Sequence, residues 1–148
     1  MAQRFLAARP RSESEVRRRL ARAGCDATTL DAAVDRLRHA GLLDDVAFAS
    51  YWLGQRQTFK PRGARLLRAE LRQHGVSAEL ASDTTDAIDS AEEDAYRAAY
   101  KRATQLAHLD AQTFKNKLGQ HLARRGFDWD VIGPTVDRLR RELPQLSS

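Results

Sequence analysis

The chain repeats itself at an interval of 51 residues. At that offset Val16, Leu67 and Leu118 share a column, and Leu20, Leu71 and Leu122 share another. Gly24, Gly75 and Gly126 form a third, followed by Cys25, Val76 and Phe127, and further on by Leu37, Ile88 and Leu139. Pro10 and Pro61 coincide as well. Five three-fold columns in register without a gap mark a triplicated unit, and tandem units of this length constrain the fold to a stack of like modules.

Each column has a local meaning. Apolar residues at i and i+4, such as Val16 and Leu20, lie on one face of a helix. The glycine after them closes the helix in the left-handed conformation. Asp26, Ser77 and Asp128 come next, placed to cap the following helix, and Ser12 with Glu15 spells a capping box. The spacing predicts a first helix ending near Ala8, then helices at about 13–23 and 27–39. In the second unit it predicts 45–58, 63–74 and 78–90, and in the third 92–107, 111–125 and 129–142. Gly133-Pro134 is expected to displace the start of the last helix, because proline suits only a first turn. The opening helix is cut short, since the later units carry roughly ten more residues there.

No segment alternates in the manner of a half-buried strand. The fold class expected is therefore all-α: an elongated, curved array of three tandem three-helix repeats with helix-turn-helix-like units, at 1–43, 44–91 and 92–148. One such unit buries little core alone, so neighbours share apolar faces, and curvature would create a concave binding surface. An apolar fraction of 42% with 30% charged residues suits thin helical layers. No apolar run reaches 18 residues, so no membrane span is expected. The opening Met1–Leu6 stretch is too short for a secretory signal. The single cysteine, Cys25, excludes an internal disulfide framework, fits a reducing compartment and points to the cytoplasm.

Charge is unevenly spread. Residues 4–22 hold seven arginines against Glu13 and Glu15, and residues 56–72 hold six bases against Glu70, a balance of +5 in each. Residues 79–94 carry seven acids and no base. Such asymmetry steers charged partners, although solvated helix faces would show it too. Arg65, Arg68 and Arg72 stand at i, i+3 and i+7, one basic stripe opposite Leu67 and Leu71. Arg17, Arg18, Arg19 and Arg22 make a second patch, and Arg124 with Arg125 a weaker third. Guanidinium forks suit phosphates and carboxylates alike.

Phe48, Tyr51, Trp52 and Phe59 interleave with Arg56, Lys60 and Arg62 as in single-strand binders, yet Phe48, Trp52 and Leu53 have the helical spacing of core residues. Asp44-Asp45 are placed to cap a helix rather than to hold a metal. His39, His74, His108 and His121 show no metal spacing. Cys25 occupies a core column. There is no phosphate loop and no nucleophile elbow. The expectation is a protein with no catalytic residues, metal or cofactor.

Gly41-Leu-Leu-Asp-Asp-Val-Ala-Phe-Ala49, leading to Trp52, Arg56 and Lys60-Pro-Arg-Gly-Ala64, closely resembles the RecX family. So does the helix that ends at Gly75-Val76, and Arg11–Leu20 looks like the family's first-repeat helix. The resemblance spans nearly the whole chain, is strongest over 10–76, and over 80–115 rests on helical layout alone. It implies a regulator that lies in the groove of the RecA–single-stranded-DNA filament and mostly inhibits it, in DNA repair, recombination and the SOS response. It further implies a RecA partner and contact with single- or double-stranded DNA, with no membrane and a monomeric state. The three basic patches, with Arg56, Lys60 and Arg62, are then the expected RecA- and DNA-binding residues. A helix-turn-helix DNA-binding protein is the alternative, marked by sequence-specific duplex binding. A pure helical scaffold would answer neither RecA nor DNA.

Overall fold

The computed structural model describes residues 2–143 and, among them, nine α-helices and no strand. In chain order these are α1 (Ala2–Ala8), α2 (Glu13–Arg22), α3 (Ala27–His39), α4 (Asp45–Phe59), α5 (Ala64–Gln73), α6 (Ala78–Asp86), α7 (Ala91–Leu106), α8 (Ala111–Arg124) and α9 (Trp129–Glu142). The short opening helix is as expected: α1 has 7 residues where α4 has 15 and α7 has 16.

The glycine column makes the same turn three times. Gly24, Gly75 and Gly126 have φ of +93°, +83° and +92°. In each turn the glycine amide donates three residues back, to Ala21, Arg72 or Ala123. The next amide donates five back, to Leu20, Leu71 or Leu122. This is the Schellman closure, open to glycine because a Cβ opposes the left-handed region. Asp26 accepts from the Thr29 amide at 2.8 Å and Ser77 from the Leu80 amide at 3.1 Å, as the capping column requires. Asp128 differs: its side chain caps nothing, and its backbone carbonyl accepts from Val131 and Ile132 instead. The capping box of Ser12 and Glu15 is complete.

Two helices depart from expectation. α6 stops at Asp86, which leaves Ile88 outside the helix, whereas Leu37 and Leu139 of the same column lie inside theirs. Its last residues, Ser82-Asp-Thr-Thr-Asp86, are poor helix formers, and two aspartates without a base oppose the C-terminal end of the dipole. α9 starts at Trp129 and carries Pro134 in its second turn, so the proline does not displace the start. Pro134 and Asp130 are both exposed, so water reaches the carbonyl that loses its donor, while buried Ile132, Val136 and Leu139 anchor the helix.

The contacts divide the chain into two compact units. The first runs to Gly54 and adds Arg68–Thr84; the second holds Gln55–Leu67 and the residues from Thr85 on. The first has a core of Val16, Leu20, Val34, Leu37 and Leu43, with Phe5, Leu6, Cys25 and Leu30 at its margin. Phe48 is buried, Trp52 half-buried with its indole N–H donating to Glu70 at 2.8 Å, and the ring of His74 lies 4.2 Å from that of Trp52. In the second unit α7, α8 and α9 pack together around Phe114, Leu118, Leu122, Ile132 and Leu139. α7 supplies Ala95, Ala99 and Ala103 at four-residue spacing, all fully buried, a small-residue row that lets the helices approach closely.

Both units contain one helix-to-turn joint, built alike. In the first, the Ser12 hydroxyl donates to the carbonyl of His74, just before Gly75. In the second, the Gly63 amide donates to the carbonyl of Arg125 at 2.8 Å, just before Gly126, and the Arg65 amide donates to Gly126 at 3.3 Å. Ser12 and Gly63, like His74 and Arg125, are 51 residues apart.

Candidate functional site

The joints decide where the arginines of the sequence patches point. In the first unit the capping glutamate, Glu15, takes four groups. The Ser12 amide lies at 3.2 Å, Arg9 at 3.1 Å, His74 Nδ1 at 3.4 Å and Arg11 at 3.8 Å. Arg11 lies over the Phe5 ring, 4.0 Å from its centroid, and Arg19 approaches the same ring at 5.4 Å. Arg18 makes only long hydrogen bonds, at 3.4 Å, to Ser14 and to the Gln73 carbonyl. With Arg22 these side chains line an open cleft of about 420 Å³. Arg17 faces elsewhere, paired with Asp31 at 2.7 Å and Glu13 at 3.9 Å, and the Asp31 hydrogen bond raises its pKa. Burial, then the charge of Arg9, lowers the pKa of Arg11; Glu15 opposes the shift and Arg19 adds to it.

On α5, Leu67 and Leu71 are fully buried, as the stripe opposite them requires. Within the first unit Arg68 is half-buried, and exposed Arg72 donates to the Val76 carbonyl at 2.9 Å. The second unit unites what the sequence held apart. Arg65 donates to the Ala123 carbonyl at 2.6 Å, so it stands beside Arg124 and Arg125 at the end of α8. The Arg125 guanidinium donates to His121 at 3.0 Å. Burial lowers the His121 pKa; the Ala98 carbonyl opposes that, and Arg125, Arg102 and Arg124 reinforce it. Phe59 is 74% exposed and Lys60 is exposed, whereas Arg56 and Arg62 are half-buried.

Asp44 caps α4, accepting from the Val46 and Ala47 amides at 3.0 and 3.3 Å. Asp45 turns instead to α2, accepting from the Glu13 amide at 2.9 Å. Burial raises its pKa, the Glu13 amide opposes, and the charges of Glu13 and Asp44 add to the rise. Among the described residues no group of three potential ligands is placed for a metal ion, and no helix is long and apolar enough to cross a membrane. Sequence reasoning missed Arg11, Phe5 and His74 as parts of one cleft. The charge count over 4–22 included Arg11, but only the joint of Ser12 with His74 brings His74 to it.

Three family models match in succession: RecX, first three-helix domain, over residues 1–37; the second over 44–84; the third over 90–133. The chain belongs to the RecX family. The Regulatory protein RecX of Prosthecochloris aestuarii is 37% identical over 135 residues, covering 91% of this chain and 88% of that protein. That of Amycolatopsis mediterranei is 36% identical over 140 residues, covering 93% and 80%. RecX from Lactobacillus salivarius, a crystal structure, superposes with a TM-score of 0.87 at 21% identity, covering 93% and 91%. At that identity the likeness speaks for the fold alone. RecX membership thus accounts for three successive three-helix domains and assigns the chain to a family of regulatory proteins.

Proposed function

We propose that this chain is a non-enzymatic, cytoplasmic regulator that binds the RecA–single-stranded-DNA filament as a monomer and mostly inhibits it during recombinational repair and the SOS response. Family membership over all three helical domains is the observation that carries the reading. The arginines add a physical reason: those at the Arg18–Arg22 face of α2 and at the Arg65–Arg124–Arg125 cluster keep donors for an acidic or phosphate-bearing assembly. The repeats at 1–43, 44–91 and 92–148 are part of the same proposal. The test is RecA ATP hydrolysis on single-stranded DNA with this protein at stoichiometric amounts. Inhibition is expected, weakened at least tenfold by Arg124→Glu with unchanged helical content. No change in hydrolysis overturns it, and sequence-specific duplex binding in its place would favour a helix-turn-helix DNA-binding protein.

A further inference from the structure

The ring nitrogen Nε2 of His121 faces two groups that make opposite demands on it. The Arg125 Nε lies 3.0 Å away, and the Ala98 carbonyl of α7 lies 3.3 Å away on the same nitrogen. A guanidinium carries donors and no acceptor, so the first contact requires the Nε2 lone pair. A carbonyl only accepts, so the second requires a proton on Nε2. One nitrogen cannot meet both. In the neutral ring with its proton on Nδ1, Nε2 serves Arg125 and the carbonyl faces a lone pair. In the imidazolium, Nε2 donates to Ala98 and the guanidinium faces a positive charge. The charges that act on the ring most are all bases, Arg125 and Arg124 of α8 and Arg102 of α7. From α5, Arg65 reaches the same end of α8 at the Ala123 carbonyl, 2.6 Å away. The Arg125 main chain is occupied separately: its carbonyl accepts from the Gly63 amide at 2.8 Å, wherever the guanidinium goes.

We propose that His121 is a proton-operated selector: the neutral ring tethers the Arg125 guanidinium, and protonation turns Nε2 to the Ala98 carbonyl and releases that guanidinium to water. The proton enters at Nε2, where the lone pair that held Arg125 becomes an N–H bond, and the Nδ1 proton stays in place. No backbone hydrogen bond has to break. In acid the cluster of Arg65, Arg124 and Arg125 gains a free fork and one further positive charge nearby, so the basic face of the second unit is graded by pH. Burial, the largest influence on the ring, puts the transition below the ordinary 6.5. The device involves only this chain's own groups and needs no partner.

The experiment follows the isotope-labelled full chain by NMR from about pH 8 to about pH 5, the range in which an imidazole changes charge. At the alkaline end the His121 ring nitrogens should report a proton on Nδ1. The Arg125 Nε–H should then exchange with water more slowly than that of exposed Arg124, its internal reference. As the ring titrates, that protection should fall about fivefold while the Gly63 amide stays protected. Arg125→Ala keeps the backbone joint and removes the competing donor. It should move the neutral ring's proton from Nδ1 to Nε2, facing Ala98, and raise the pH at which His121 titrates. Arg102→Gln removes a repelling charge without touching the contact with Arg125. It should raise the titration less and leave the tautomer of the parent. A proton on Nε2 in the parent at the alkaline end, or Arg125 exchange that tracks Arg124 throughout, would overturn the proposal. So would an unchanged tautomer in Arg125→Ala, or loss of the Gly63 amide signal together with the ring titration.

Discussion

A methyl group on Gly63 would lie 2.2 Å from the carbonyl of Gly126 and the amide nitrogen of Phe127, which are backbone atoms that cannot step aside. Gly63→Ala should therefore destabilise the chain by roughly 3 kcal/mol, read as a lower urea midpoint. Gly24 and Gly75 allow a cleaner comparison because both sit in the left-handed region. Nothing lies within 4 Å of a Cβ at Gly24, whereas one at Gly75 would meet the Ser14 side chain at 2.1 Å. Gly24→Ala should lose about 1 kcal/mol and Gly75→Ala roughly 3, and equal losses would refute the contact argument. Asp45 responds to pH. Its folded pKa is raised, so its charge works against the folded state at neutral pH and the penalty fades as pH falls through that pKa. Asp45→Asn keeps an oxygen for the Glu13 amide, so its Tm should exceed that of the parent at neutral pH, with the gain disappearing in acid.

Among the elements, α9 is the least consistent with its own sequence. Gly133 lies in its interior, exposed, and a Cβ there would meet nothing within 4 Å outside its chain neighbours and the backbone of its own helix. Gly133→Ala should bring no gain in thermal melts, because a Cβ just before Pro134 crowds the proline Cδ in the helical conformation and offsets the backbone freedom lost from the unfolded chain. Helix limits were largely legible from capping residues and glycine closures. α3 and α9 run over the ranges that spacing predicts, 27–39 and 129–142. The end of α6 was not, because repeat alignment carried Ile88 into a helix that two unopposed aspartates end early. The row of Ala95, Ala99 and Ala103 was available in the sequence at helical spacing, but alanine does not distinguish a buried face from an exposed one. The site was half legible: the arginines were visible, while their grouping depended on joints between residues 61 or 62 positions apart.

For the molecule as a whole, His121 sets an acid limit on stability. Its folded pKa is depressed below the ordinary 6.5, so the unfolded chain takes up a proton that the folded chain resists. Stability present above pH 6.5 should decline below it, and His121→Gln should flatten that decline in urea midpoints measured on either side. The paired joints bear on how such a protein changes over time. Each engages a main-chain carbonyl, supplied by His74 or Arg125, and asks of its other partner only a small residue, Ser12 or Gly63. A coupling that needs only a main-chain carbonyl and one small donor, the Ser12 hydroxyl or the Gly63 amide, leaves neighbouring side chains at liberty to diverge. Lineages could then rewrite the charge on their helices almost wholesale while the scaffold persists, as a TM-score of 0.87 at 21% identity illustrates.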